Sequence, residues 1–330
     1  MSNRFIAATS ALLFSTTIAS ADVPNVTVDI APVHSLVAKV MNGVGKPDLI
    51  IPAGASPHDY QLKPSNAKSL EKAKLVFWIG EDLTPWLEKG LSSLAKEASI
   101  TALLEVDGIE LLDFREGALF EAHDHSDHDD HDDHDDHDHD KHAKKEDDHD
   151  DHDDHEGHDH GDHDPHAWLS PQIAKVWLNV IAAKLSEIDP KNAGTYFANA
   201  NTARQDLDNL SEEINKILDP MRDKKFVVFH DAYQYFEKDF NISASGAISL
   251  GDASDPSPAR LAEVRKRVID EAVQCVLAEP QYKKGLVKAV IEGTGSNTAV
   301  IDPLGVNLEA GPSLYENLIR NLATNLAKCF

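Results

Sequence analysis

Apolar positions recur along the chain in two rhythms. Short β-branched runs at Val26–Ile30, Leu49–Pro52, Leu75–Ile79 and Ser99–Ala102 read as strands, and helical spacing fills Ser35–Met41, Lys63–Ala73 and Pro85–Ala98 between them. The alternation returns after residue 220. Strands are expected at Phe226–Phe229, Ile242–Ala247, Cys275–Ala278 and Thr298–Ile301, with helices at Ala232–Asp239, Pro258–Asp270, Lys283–Ile291 and Ser313–Ala327. Strands that alternate with helices build parallel sheets. The pattern therefore predicts an α/β chain of two lobes of similar size.

Between the lobes, apolar residues recur at Tyr196, Phe197, Ala200, Ala203, Leu207, Leu210, Ile214, Ile217 and Leu218, the spacing of an amphipathic helix. Asp189-Pro190 is a start signal, with Asp as N-cap and Pro at the first helical position, and Pro220 is the stop. At ~1.5 Å per residue such a helix exceeds about 40 Å and stiffens the connection between lobes. This divides the chain into a first lobe over 22–189, a linking helix over 190–219 and a second lobe over 220–330.

The N-terminus changes where the protein is expected to work. Arg4, an uncharged apolar run from Phe5 to Ile18, and Ala19-Ser20-Ala21 read as a signal peptide over 1–21, cleaved before Asp22. The run is shorter than the ~20 residues that cross a bilayer. In an exported protein the pair Cys275 and Cys329 reads as one disulfide, with two buried thiols as the alternative. A disulfide would join the C-terminal helix to the strand at Cys275 and stabilise by roughly 4 kcal/mol in the chain-entropy picture.

The formal charge is −26, but residues 121–164 hold 22 Asp or Glu against three Lys, which leaves about −7 for the rest. That remainder is an ordinary soluble surface, with no basic face to meet nucleic-acid phosphates. The acidic stretch is a low-complexity His/Asp tract expected to be disordered. It carries fourteen of the eighteen histidines: His123, His125, His128, His131, His134, His137, His139, His142, His149, His152, His155, His158, His160 and His163. Neutral imidazoles suit zinc, copper and nickel. Flexible His pairs among carboxylates should therefore hold several such ions weakly; an acidic solubilising linker is the alternative.

Four histidines remain. His58 lies in GASPHDYQLKPS after the Leu49–Pro52 strand, His166 in DPHAWLSP before a helix, and His230 ends the strand in FVVFHDAYQYF. Ligands of open α/β sheets bind beyond the carboxyl ends of the strands, so these three are expected to converge between the lobes as metal ligands. A lone histidine is more often structural; three in this context, beside a metal-collecting tract, favour ligands. Asp302, in AVIDPLG, is the best protein candidate for a fourth ligand, with a turn cap or a water as the alternatives. Asp59 and Asp231, each following a candidate ligand, either orient an imidazole or lie exposed. His34 reads as a helix-start or surface residue.

Together GASPHDYQLKPS, DPHAWLSPQ, FVVFHDAYQYF, CVLAEPQ, VIDPLG and the acidic His tract resemble the periplasmic zinc-binding subunit of high-affinity zinc ABC importers, the ZnuA type. The resemblance covers essentially the whole mature chain. The wider family, the cluster A-I metal receptors, implies two (β/α)4 lobes with parallel sheets, one rigid linking helix and a metal between the lobes. It implies ligands at His58, His166 and His230 and a fourth position that varies. Some members carry Glu directly before the first His; here that residue is Pro57. The Cys275–Cys329 pair matches a disulfide of Gram-negative members. Manganese-binding relatives carry a carboxylate where His230 stands, so the resemblance favours Zn2+ as bound cargo. It also implies an inner-membrane permease with a cytoplasmic ATPase as partners, and a periplasmic monomer that is not an enzyme. A zinc buffer or chaperone, or a receptor for another divalent metal such as manganese, are the competing functions. A zinc hydrolase would need an open coordination position and a general base, and the chain has no H-E-x-x-H.

Overall fold

The computed structural model describes residues 23–115, 120, 163–249 and 256–330; the expected signal peptide and every tract histidine except His163 lie outside them. The first sheet contains β1 (Val26–Val28), β2 (Asp48–Leu49), β3 (Leu75–Trp78) and β4 (Ser99–Ala102) in the order β2-β1-β3-β4, all parallel. The crossovers carry α1 (Ala31–Val40), α2 (Pro64–Lys72) and α3 (Pro85–Leu94). After α4 (Pro171–Ile188) and α5 (Ala193–Leu218), the second sheet repeats the topology. Strands β5 (Phe226–His230), β6 (Ala247–Ser249), β7 (Cys275–Ala278) and β8 (Asn297–Val300) pair in parallel as β6-β5-β7-β8. Helices α6 (Gln234–Phe240), α7 (Pro258–Asp270), α8 (Lys284–Ile291) and α9 (Leu314–Ala327) complete the lobe. In each sheet the winding reverses beside the first strand, which opens a crevice at the strand ends.

Several elements differ from their sequence expectation. Helix α1 begins at Ala31 rather than Ser35, because Pro32 sits where a missing N–H costs nothing. Strand β6 starts at Ala247 instead of spanning Ile242–Ala247. The chain first bends through Gly246 at φ 155°, and the buried Ile242 and Ala244 serve the core without pairing. The expected linking helix is a short 3-10 turn, Pro190–Asn192, followed by α5. Asp189 does not cap the backbone there: its carboxylate accepts from the Tyr196 hydroxyl at 2.8 Å and Asn192 Nδ2 at 2.7 Å.

Tyr196, Ala200, Ala203, Leu207, Leu210, Ile214 and Leu218 form the buried stripe of α5. Phe197, which the same spacing placed on the stripe, is 50 % exposed. This face packs on α1, α4 and α9, so one apolar core runs from the first sheet through the long helix into the second lobe. A smaller core, around Val227, Phe229, Val264 and Val287, fills the other face of the second sheet. Helix α9 also straps the lobes together. Tyr315 N donates to Ser35 Oγ at 3.0 Å, the Tyr315 hydroxyl donates to the Trp168 carbonyl at 2.8 Å, and Lys39 is shared by Glu316 and Asp206. Cys275 and Cys329 form a disulfide, 54 residues apart, that pins the end of α9 to β7. No helix among the described residues is long and apolar enough to cross a membrane.

Candidate metal site

Two loops and one strand end deliver the three histidines to the mouth between the lobes. The loop after β2 carries His58. Trp86 Nε1 holds it through the Pro57 carbonyl at 2.8 Å, and Asn66 bridges the Ile50 carbonyl (2.9 Å) and the Lys63 N–H (3.0 Å). His166 follows Asp164-Pro165; its own N–H donates to Asp164 Oδ1 at 2.9 Å, a tight local turn that fixes the backbone. His230 is the last residue of β5, at the point where the winding of the second sheet reverses. The ring centroids of His58 and His166 are 5.5 Å apart, and those of His166 and His230 are 5.3 Å apart.

Each buried imidazole is oriented from behind. His166 Nδ1 meets Asp164 Oδ1 at 2.7 Å, and His230 Nδ1 meets Glu279 Oε1 at 2.6 Å. A carboxylate on Nδ1 fixes the proton there and leaves Nε2 as the basic nitrogen, the arrangement that metal-binding histidines use. Sheet register brings Glu279 into place. Phe226 pairs with Cys275 and Val227 with Val276, and the same register carried onward sets His230 opposite Glu279. Trp168, Tyr233 and Tyr282 wall the rings.

Between the rings lies a cavity of about 20 Å³, room for roughly one water-sized sphere. Pro57, His58, His166 and Trp168 line it from the first lobe, and His230, Glu279, Gln281 and Leu304 from the second. Gln281 Oε1 is a buried acceptor without a hydrogen-bond partner among the described residues. Among the described residues, no three His, Cys, Asp or Glu side chains are already drawn tightly enough to hold an ion. The imidazoles are gathered around one small void.

The other sequence candidates take different places. Asp302 is not among the cavity-lining residues; Oδ1 accepts from the N–H groups of Leu304 (3.0 Å) and Gly305 (2.9 Å), and Oδ2 from Val306 (2.6 Å). It caps the turn that carries Pro303 and Leu304 into the cavity wall, and one of the roughly four lone-pair positions of a carboxylate is left over. Asp59 is exposed. Asp231 is buried and turned to Arg115, which also binds Glu237 at 2.8 Å. Burial works against the Arg115 charge, but the two carboxylates outweigh it and hold its pKa above the usual range. His34 is half-buried in the first turn of α1, where Nε2 donates to the Pro47 carbonyl at 3.0 Å.

His163 is half-buried and bonds Asp113 at 2.9 Å, at a bridge that joins the two sides of the tract's base. That base is tied to α6. Tyr235 hydroxyl donates to the Asp164 carbonyl at 2.9 Å and accepts from Leu112 N–H at 3.0 Å, and Gln234 donates to the Asp113 carbonyl at 3.0 Å. Asp164 therefore both ends the tract and orients His166. Sequence reading missed Asp164 and Glu279 as orienting groups. The signals available were an Asp two residues before a candidate ligand and a Glu directly after a fully apolar strand.

Residues 26–329 match the family model of the zinc-uptake complex component A, periplasmic, ZnuA. The chain is 48% identical over 304 residues to the high-affinity zinc uptake system protein ZnuA of Brucella abortus (strain 2308), covering 92% of this chain and 91% of that one. It is 46% identical over 312 residues to the protein of the same name from Paracoccus denitrificans (strain Pd 1222), covering 94% and 93%. Among solved structures, a crystal structure of ZnuA superposes with a TM-score of 0.71 at 21% identity over 93% of this chain and 99% of that chain. A zinc-bound deletion mutant of ZnuA gives 0.70 at 22% over 93% and 98%. The Mn2+ complex of FpvC from Pseudomonas aeruginosa gives 0.71 at 16% over 93% and 98%, so the architecture alone does not choose the metal.

Proposed function

The chain belongs to the ZnuA family of periplasmic zinc-uptake components, and from that membership we propose that it captures Zn2+ in the periplasm and delivers it to an inner-membrane ABC permease driven by a cytoplasmic ATPase. His58, His166 and His230 supply three nitrogen ligands, and a water or the remaining lone pair of Asp302 completes a tetrahedron. The observation that carries this reading is the pair of carboxylate-backed imidazoles facing His58 across a single-ion cavity. The donor set favours zinc over manganese, because imidazole nitrogens suit borderline metals and oxygen-rich sites suit hard ones. The His/Asp tract adds several weak sites, and the described residues at its base, Asp113 and Asp164, are held by α6. A signal peptide over 1–21 would place the mature chain in the periplasm.

Isothermal titration of zinc into the mature chain lacking residues 121–162 tests the core site. One tight site should remain. His58→Ala, His166→Ala and His230→Ala should each weaken it by orders of magnitude, and His34→Ala should leave it nearly unchanged. Loss of all tight binding on deletion, or equal losses at all four positions, would remove this assignment. A competing role as a zinc buffer predicts that zinc uptake by cells lacking the protein is unimpaired.

A further inference from the structure

A second concavity, of about 390 Å³, lies away from the histidines where α4, α5 and α6 meet the 108–110 loop. Its volume falls in the range of small-molecule sites, ~300–1,000 Å³. Three cations line it: Lys175 from α4, Arg204 from α5 and Lys238 from α6. Two of them already have carboxylates. Lys175 pairs with Asp208 at 2.6 Å and Lys238 with Glu110 at 2.7 Å. Those carboxylates are 60% and 75% exposed, so both pairs are weak and exchangeable.

Arg204 is different. Its Nε is buried and has no hydrogen-bond partner among the described residues, and no carboxylate among them lies within ion-pair distance of its guanidinium. The one other acid in the wall, Asp239, is engaged by the Ser170 hydroxyl at 2.7 Å and the Gln172 N–H at 3.2 Å. A half-buried guanidinium whose Nε lacks an acceptor has donor capacity to spare, and its fork matches a carboxylate in two-point contact. Ile109, Ile173 and Val176 give the same cleft an apolar wall.

We propose that this cleft is a binding site for a small organic carboxylate, with Arg204 as the anchor, the two lysines as supporting charges and the apolar wall against the carbon skeleton. Nothing in this depends on the zinc reading. The wall includes Tyr235, whose hydroxyl holds the Asp164 carbonyl, so a ligand here lies one side chain from the group that orients His166.

Ligand-observed saturation-transfer NMR on the metal-free mature protein, with glutarate as the probe and the neutral diamide glutaramide as the control, decides it. Glutarate should bind with a millimolar Kd, and glutaramide should show no saturation. Arg204→Gln should weaken glutarate at least tenfold while the circular dichroism spectrum is unchanged. Val176→Phe, which fills the cleft from its apolar side, should abolish the signal and serves if the arginine variant does not fold. No glutarate signal at tens of millimolar, equal binding of glutaramide, or binding that neither substitution alters would each overturn the proposal.

Discussion

Asp164 and Glu279 decide what the buried imidazoles can do. An ion on Nε2 lies across the ring from Nδ1, so Glu279, held to Nδ1 of His230 at 2.6 Å, cannot ligate the same ion; it acts by fixing the proton and the ring plane. Removing its charge while keeping an acceptor should lower ligand basicity without changing the shape of the site. Glu279→Gln and Asp164→Asn are each expected to weaken zinc about 10–100-fold, the range for partners behind a ligand, in titrations where Asp59→Asn changes nothing. Unaltered affinity in both would show that the carboxylates serve folding alone. His34 sets a different pH dependence. Burial pushes its pKa below the usual 6.5, and the enclosed Nδ1 has no partner among the described residues to receive a second proton. The unfolded chain takes up that proton at about 6.5, whereas the folded chain resists it to lower pH. This contribution is therefore complete above about 6.5 and is lost as pH falls below it. His34→Gln, which can still donate to the Pro47 carbonyl, should make the fall in urea midpoint between pH 7 and pH 5 shallower than in the parent chain. A parallel fall in the two proteins would count against His34 as a source.

At the level of elements, what periodicity could reach was set by how locally each element is determined. Strands Ser99–Ala102 and Cys275–Ala278 appear where the apolar runs put them, and α7 spans Pro258–Asp270 as its Ser257 N-cap and Pro dictate. Strand β6 did not, because apolar character at Ile242 and Ala244 reports burial and cannot distinguish a paired strand from a packed loop. The full extent of α4 was likewise not drawn, although it supplies much of the packing around α5. At the candidate site, the converging imidazoles were readable because the ends of parallel strands share one edge. Their orienting carboxylates were not. Glu279 reaches His230 only through the β5–β7 register, a pairing between residues 49 apart in sequence. Asp231 was plausible as an orienting group by adjacency, but neighbours in a chain leaving a strand point to opposite sides, and its partner proved to be Arg115. The turn cap was one of the alternatives open for Asp302 in the sequence, and three backbone N–H groups bear it out.

On the scale of the whole molecule, two sheets suggest two folding units, yet the buried core is shared. Leu36 and Val37 of α1, Leu207 and Leu210 of α5 and Leu318 and Leu322 of α9 belong to one contiguous apolar cluster that reaches both sheets. Tyr315, Glu316 and Arg320 of α9 add polar ties to Ser35, to Lys39, which also pairs with Asp206, and to Glu213. Opening one lobe would expose apolar surface on α5 and α9 that the other covers, at roughly 25 cal/mol per Å². The lobes should therefore unfold together and close on an ion by small adjustments of the loops carrying His58 and His166. Calorimetry on the metal-free mature chain is expected to show a single transition whose calorimetric and van't Hoff enthalpies agree. An ion bound only by the folded state at a free concentration of 100 times its Kd adds ~2.7 kcal/mol. For a chain of this size that raises the midpoint by on the order of 4 °C, and the whole transition should move, because the cavity is walled by both lobes. Two transitions, with zinc shifting just one of them, would mean that the long helix joins two independent bodies and that the ion belongs to one lobe.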